Sequence, residues 1–272
     1  MFPSGLLSPT LAFLVLAPMV TASAQAAEVV APASITAAGK VLFCTELATP
    51  PWEMLDPATQ QPAGFDIDIA AALSEQLGVI NEHKNLTFDG LIPALQAGQC
   101  DAVISCMYDK PARREIVDFV NYAVTGTSPI LRADSTLQVT SLDDFSGKKV
   151  SVGVGSTGEQ LLMEASERLK AAGRPPIEVV VLQTSNEAFQ QLMAGLVDAY
   201  MGATDQAAYF NNQNPNSVKL GGEPLNKFEV GIATLKANTE LHDALAEALK
   251  NIKENGTYDE ILAKWSFEAL AI

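Results

Sequence analysis

The most specific chemistry this chain offers lies in the run Lys110-Pro-Ala-Arg-Arg114. Arg113 carries a planar fork of donors that matches a carboxylate through two parallel hydrogen bonds. A guanidinium in such a run also serves as a plain solvated charge, as Arg114 beside it is expected to do, and spacing alone leaves both readings open. Ser156-Thr157-Gly158-Glu159 is the second candidate. Ser and Glu three residues apart make a capping box, which needs no ligand. Yet the free amide donors of a helix start attract anions, so a cap and an anion site are compatible here. Glu46 follows the first strand and either meets a cationic group or stands as an ordinary exposed acid.

Other chemistry finds little support. Gly153-Val-Gly-Ser-Thr-Gly158 is not a nucleophile elbow, because Gly155 directly precedes Ser156 and no histidine partner is evident. It is not a phosphate-binding loop either, since no Gly-Lys-Ser/Thr follows. His83 and His242 sit in charged segments and read as surface residues. With two histidines and neither Cys-x-x-Cys nor His-Glu-x-x-His spacing, neither a metal nor a cofactor is expected.

The 272 residues exceed what one core needs, so two domains are the prior. The net charge of −15 repels phosphate backbones and anionic lipid, which argues against a nucleic-acid or membrane-surface partner. Leu11–Ala17 is an apolar run too short to span a bilayer. It leads into Ala24-Gln25-Ala26, a small-residue cleavage pattern, so residues 1–26 read as a secretory leader although no Lys or Arg precedes the run. The mature product is expected to be exported, free and monomeric.

Candidate side chains need elements to hold them, and the chain alternates short apolar strands with amphipathic helices, the pattern of an α/β fold. Val41–Thr45 reads as a strand. Phe65, Ile69, Leu73 and Leu77 then recur every fourth residue, which lines one helix face up to Gly78. Phe88 opens a second helix, Gly98 ends it, and Ala102–Ser105 reads as another strand. The same order returns later. Gly147-Lys-Lys-Val echoes Gly39-Lys-Val, and Leu192-Met-Ala-Gly-Leu-Val-Asp-Ala199 repeats the frame of Leu95-Gln-Ala-Gly-Gln-Cys-Asp-Ala102. Two similar α/β lobes follow. Thr127–Arg132 and Lys227–Ala233 flank the second copy and read as two hinge strands. The division is therefore residues 28–126 for the first part of lobe 1, 127–228 for lobe 2 and 229–272 for the completion of lobe 1. A cleft between two hinged lobes is the natural ligand site.

Three stretches carry a resemblance: Pro51-Trp-Glu-Met-Leu-Asp with Gly64-Phe-Asp-Ile-Asp-Ile-Ala70, Phe88-Asp-Gly-Leu-Ile-Pro-Ala-Leu95 with Asp101–Ser105, and Arg113 six residues before Phe119. From about Gly39 to Trp265 the chain resembles the periplasmic solute-binding proteins of ABC importers, in their polar amino-acid-binding group. The resemblance implies the type II periplasmic binding-protein fold, closure over one small carboxylate or amino acid, and delivery to a membrane permease driven by an ATPase. It assigns Arg113 and Thr157, with Ser156 beside it, to the ligand's α-carboxylate, and Phe88 and Trp52 to its aliphatic part, where an aromatic residue is otherwise core. Two positions depart from the pattern. The acid that pairs with an α-ammonium would fall at Ala203, so Asp205 either substitutes for it or merely caps the next helix. Tyr108 stands where Ser or Thr is common, and either donates to the ligand or fills space.

The family's sheet order would make the strands of Cys44 and Cys106 neighbours. A bridge between those two is conceivable, but adjacent parallel strands seldom suit it, and buried thiols are expected. Two alternatives to import remain: an exported dehydratase acting on a small acid on the same scaffold, and a soluble sensor presenting its solute to a receptor.

Overall fold

A computed structural model describes residues 29–272; the expected leader lies outside the described residues. The chain begins with α1 (Ala33–Ala38) and β1 (Lys40–Thr45), then a ribbon of β2 (Ala48–Thr49), β3 (Glu53–Leu55) and β4 (Pro62–Ala63). α2 (Phe65–Gln76) buries Phe65, Ile69 and Leu73 on the face that their spacing predicts, and Gly78 follows with φ +67°. Next come β5 (Ile80–Asn85), a 3-10 turn at Phe88–Gly90, α3 (Leu91–Gln96), β6 (Ala102–Val103), α4 (Pro111–Arg114) and β7 (Val117–Thr125).

Gly126 alone separates β7 from β8 (Thr127–Arg132), which belongs to a second sheet. That sheet continues through β9 (Lys149–Gly153), α5 (Thr157–Ala171), β10 (Glu178–Leu182), α6 (Ser185–Met193), β11 (Ala199–Ala203), α7 (Gln206–Gln213) and β12 (Val218–Leu220). The chain returns to the first sheet through β13 (Phe228–Leu235), and α8 (Thr239–Glu254) and α9 (Thr257–Trp265) pack on it. α8 buries Leu241, Leu245 and Leu249, as their four-residue spacing requires.

The two sheets share one plan, β5-β1-β6-β13-β7 and β10-β9-β11-β8-β12. In each, three parallel strands come first, and the last two run antiparallel to their neighbours. The repeated Asp-Ala motif has one structural job in both. Asp101 accepts from the amide of Leu42 at 2.8 Å, and Asp198 accepts from the amide of Lys149 at 2.9 Å. The preceding glycines, Gly98 and Gly195, hold φ +65° and +70°, a conformation that costs a side chain strain. Each copy thus turns out of its helix and pins the start of the neighbouring strand with a carboxylate.

The expected hinge stretches differ in detail. Thr127–Arg132 is a sheet strand, with its first five residues buried, and β13 is likewise a ladder member. The crossings themselves are Gly126 and residues 221–227. A Cβ on Gly126 would lie 2.3 Å from the carbonyl oxygen of Asn226, so the crossings touch only because Gly126 has no side chain.

Cysteine pairing is a second correction. Cys44 is bonded to Cys100, with Cα atoms 5.7 Å apart, and Cys106 alone is a buried thiol. Cys44 and Cys100 share the apolar cluster of Leu91, Leu95 and Val103, whereas Cys106 packs in the cluster of Ile104 and Tyr108. Cys44, expected as a buried thiol, is thus in a bridge, and it lies in a different apolar cluster from Cys106, with which a bridge was only conceivable. His83 also departs from a surface role. It is half-buried on edge strand β5, stacked on Phe43 with ring centroids 5.7 Å apart and bonded to Thr45 at 3.0 Å.

Candidate functional site

Between the sheets lies a cavity of about 60 Å³, walled on one side by Phe88, Ser105 and Arg113 and on the other by Ser156, Thr157 and Met201. Arg113 comes from α4, whose start is set by Pro111 at the first helical position. Its Nη1 donates to the carbonyl of Tyr108 at 2.9 Å, and its guanidinium sits 5.2 Å from the centroid of the Phe88 ring. No acid among the described residues pairs with it. Desolvation lowers its pKa from 12.5 to about 10, which still leaves it charged at neutral pH. A covered cation with no counterion is a site that favours an anion.

The opposite wall supplies donors. Ser156 is the N-cap of α5 and accepts from the amide of Glu159 at 3.2 Å. The Glu159 carboxylate reaches back to the amide of Gly155 at 2.7 Å, one residue before the position an ordinary capping box would use. α5 has 15 residues, and its positive end, with Thr157 and Gly158, lines the cavity. Lys110 lies across the cleft, 3.4 Å from Thr157 Oγ1, and adds to the positive field there.

Of the eight residues expected at the site, five line the cavity: Arg113, Thr157, Ser156, Phe88 and Tyr108. Tyr108 fills space. Its hydroxyl donates to the carbonyl of Gly126 at 3.0 Å, its ring stacks on Phe228, and it shares an apolar cluster with Ala203 from the other lobe. Glu46 stands one layer back, with Thr49 and Ser185 between it and the cavity. It accepts from Thr49 Oγ1 at 2.7 Å and meets the amide and hydroxyl of Ser185 at 3.4 Å. Burial raises its pKa from 4.5 to about 7.

Trp52 takes the core reading and not the ligand one, while Asp205 departs from both readings given it. Trp52 is fully buried in the lobe 1 core against Phe65 and Phe267, so its ring covers no ligand. Asp205 makes no side-chain cap to α7. Its carboxylate instead accepts from Trp52 Nε1 and from Thr125 Oγ1, both at 2.6 Å.

The cavity also has walls that the sequence did not single out, among them Thr49, Ser105, Ser185 and Gln206. Ser185 had a signal. Thr184 and Glu187 form a full capping box at the start of α6, the same pattern as Ser156 and Glu159. Ser105 had none, because its placement depends on buried acids. Its hydroxyl donates to Glu53 at 2.9 Å, while the amide of Cys106 donates to Asp66 at 2.7 Å. Burial, with Asp66 beside it, pushes the Glu53 carboxyl well above its ordinary value.

Comparison with known proteins gives the family of the chain. The model of the family described as "Bacterial extracellular solute-binding proteins, family 3" matches residues 41–269. The chain is 32% identical over 236 residues to the putative ABC transporter arginine-binding protein 2 of Escherichia coli (strain K12), covering 85% of this chain and 93% of that protein. It is 34% identical over 233 residues to the L-arginine-binding protein of Pseudomonas aeruginosa, covering 81% and 85% respectively. An ancestral arginine-binding protein solved with glutamine bound superposes with a TM-score of 0.76 at 39% identity, covering 85% of this chain and 99% of that one. The chain belongs to the bacterial extracellular solute-binding proteins, family 3, and its role is to bind a solute outside the cytoplasm.

Proposed function

We propose that this protein is the binding component of an ABC importer, holding one amino acid or related small carboxylate between its lobes by means of Arg113 and the start of α5. The single observation that carries this reading is the guanidinium of Arg113, with no acid paired to it among the described residues, lining one cavity together with the start of α5 at Thr157 and Gly158. The similarity to arginine-binding transport proteins supports the class of ligand. On this reading the leader, residues 1–26, is removed on export, the mature chain works as a monomer in the periplasm, and a permease with its ATPase receives the solute. The protein binds and releases its ligand unchanged.

Titration calorimetry tests the reading. Arg113→Met removes the counter-charge of the ligand and should cost roughly 3–5 kcal/mol in binding. Arg113→Lys should recover only part of it, because a point charge replaces a fork. Unchanged affinity in Arg113→Met takes Arg113 out of the site. Bound solute recovered chemically altered makes the protein an enzyme, and solute uptake unaffected by loss of the protein makes it something other than an importer.

A further inference from the structure

The charge inventory of the cavity narrows the ligand class. Arg113 is the one cation that lines it among the described residues, and no Asp or Glu lines it at all. The lobe 2 side includes Met201, Gly202 and Ala203, and Tyr108 shares an apolar cluster with Ala203 across the cleft. Of the hydroxyls that face the cavity, three have committed their protons: Thr49 donates to Glu46, Ser105 to Glu53, and Tyr200 to Gln206 at 3.0 Å. Ser156 and Thr157 instead accept, from the Glu159 amide and from Lys110, and keep their protons to donate. This mixture of acceptors and donors suits a ligand hydroxyl or keto oxygen. It suits an ammonium poorly, because an ammonium leaves water at far greater cost and needs an ionised partner to offset it.

The acid nearest to serving that purpose is Glu46. Its oxygens are held by Thr49 and Ser185, and its burial favours the uncharged form. The cavity volume of about 60 Å³ calls for a small ligand.

We propose that this cleft selects small monocarboxylates that carry no ammonium, 2-hydroxy and 2-oxo acids, over the matching α-amino acids. The inference rests on the reading of Arg113 as the carboxylate partner. A monoanion and Arg113 together are neutral, whereas a zwitterion leaves one positive charge uncompensated in the closed cavity.

Calorimetry with L-lactate, pyruvate and L-alanine, which share size and carboxylate, is the test. Lactate or pyruvate should bind at least tenfold more tightly than alanine, and Arg113→Met should abolish the binding. Ala203→Asp, checked for folding by thermal melting, places an acid in the cavity lining and should reverse the order. Alanine binding as tightly as lactate and pyruvate, or more so, with the binding still lost in Arg113→Met, overturns this inference and leaves the carboxylate site intact. Lactate and pyruvate failing to bind also overturns it. Lactate bound equally well by the wild type and Arg113→Met overturns the carboxylate site too.

Discussion

Trp52 and Asp205, 153 residues apart in sequence, are joined by a 2.6 Å hydrogen bond that runs from the core of one lobe to the other. Thr125, the last residue of β7 before the crossing at Gly126, donates to the other oxygen of the same carboxylate at 2.6 Å. Next along the chain, Gln206 donates to the carbonyl of Pro50 at 3.0 Å. The start of α7 is therefore fastened to lobe 1 beside the hinge, with Gln206 lining the ligand cavity and the Asp205 carboxylate turned away to its two donors. Burial pushes the Asp205 carboxyl up, and its two donors pull it back.

Asp205→Asn leaves one oxygen for two donors, so the indole of Trp52 or the hydroxyl of Thr125 loses its partner in a buried place. A loss of about 1–3 kcal/mol of stability is expected in urea unfolding. Affinity should fall by the same factor for amines and for ligands without one, because the change acts on closure and not on the ligand. A loss confined to amine-bearing ligands would return Asp205 to the cavity.

The Cys44–Cys100 bond closes a loop with a sequence separation of 56. Chain-entropy arguments give a loop of that size about 4 kcal/mol. The double variant Cys44→Ala, Cys100→Ala should be less stable by roughly that amount, and reductant should destabilise the wild type but not the variant. Cys106 should remain unreactive to thiol reagents until the protein unfolds, since burial raises its pKa well above the ordinary thiol value. Equal stability with and without reductant would show that the bond does not form.

Two buried groups set opposite pH trends. Glu46 is raised from 4.5 to about 7, so the folded chain keeps a proton that the unfolded chain has released. Its contribution is full below pH 4.5 and is lost as pH rises towards 7. His83 is lowered by burial from 6.5 to about 4, so the unfolded chain takes up a proton that the folded chain refuses. That contribution is full above pH 6.5 and is lost as pH falls towards 4. Glu46→Gln should remove a slope worth on the order of 2–3 kcal/mol across pH 4.5–7. His83→Gln should remove an opposite slope on the order of 1–2 kcal/mol, smaller because its ring is only half covered. Urea midpoints for both variants at several pH values check each slope against the wild type.

Sequence made the doubled plan readable because the repeated Asp-Ala frame reports a local device, a glycine turn and a strand-pinning carboxylate, that each lobe needs for itself. Arg113, Ser156 and Thr157 were readable because a charge and a helix start leave local marks. Trp52 was not, since an aromatic residue packed in a core and one facing a ligand have the same sequence appearance. β5 escaped because Ile80–Asn85 is an edge strand whose polar side chains show neither alternation nor an apolar run. The role of Asp205 depends on two partners in the other lobe, and nothing within its own segment points to them.

Closure itself depends on Gly155. Its φ is +72°, and a Cβ there would lie 2.9 Å from the Cβ and 3.0 Å from the Cα of Asp89 in the facing lobe. Side chains essentially never approach that closely, and Asp89 sits on a hydrogen-bonded 3-10 turn that has to shift to make room. Gly155→Ala also carries the strain of a left-handed conformation, about 1 kcal/mol, in the open and the closed form alike. The clash exists only when the lobes meet, so it raises the closed form alone and lowers affinity for every ligand. At least a tenfold weaker dissociation constant is expected, along with a radius of gyration that no longer shrinks fully when ligand is added. Adding Asp89→Gly removes the nearer contact and should restore part of the affinity while leaving the backbone strain in place. Full affinity in Gly155→Ala would mean that the lobes bind ligand without approaching as closely as they do here.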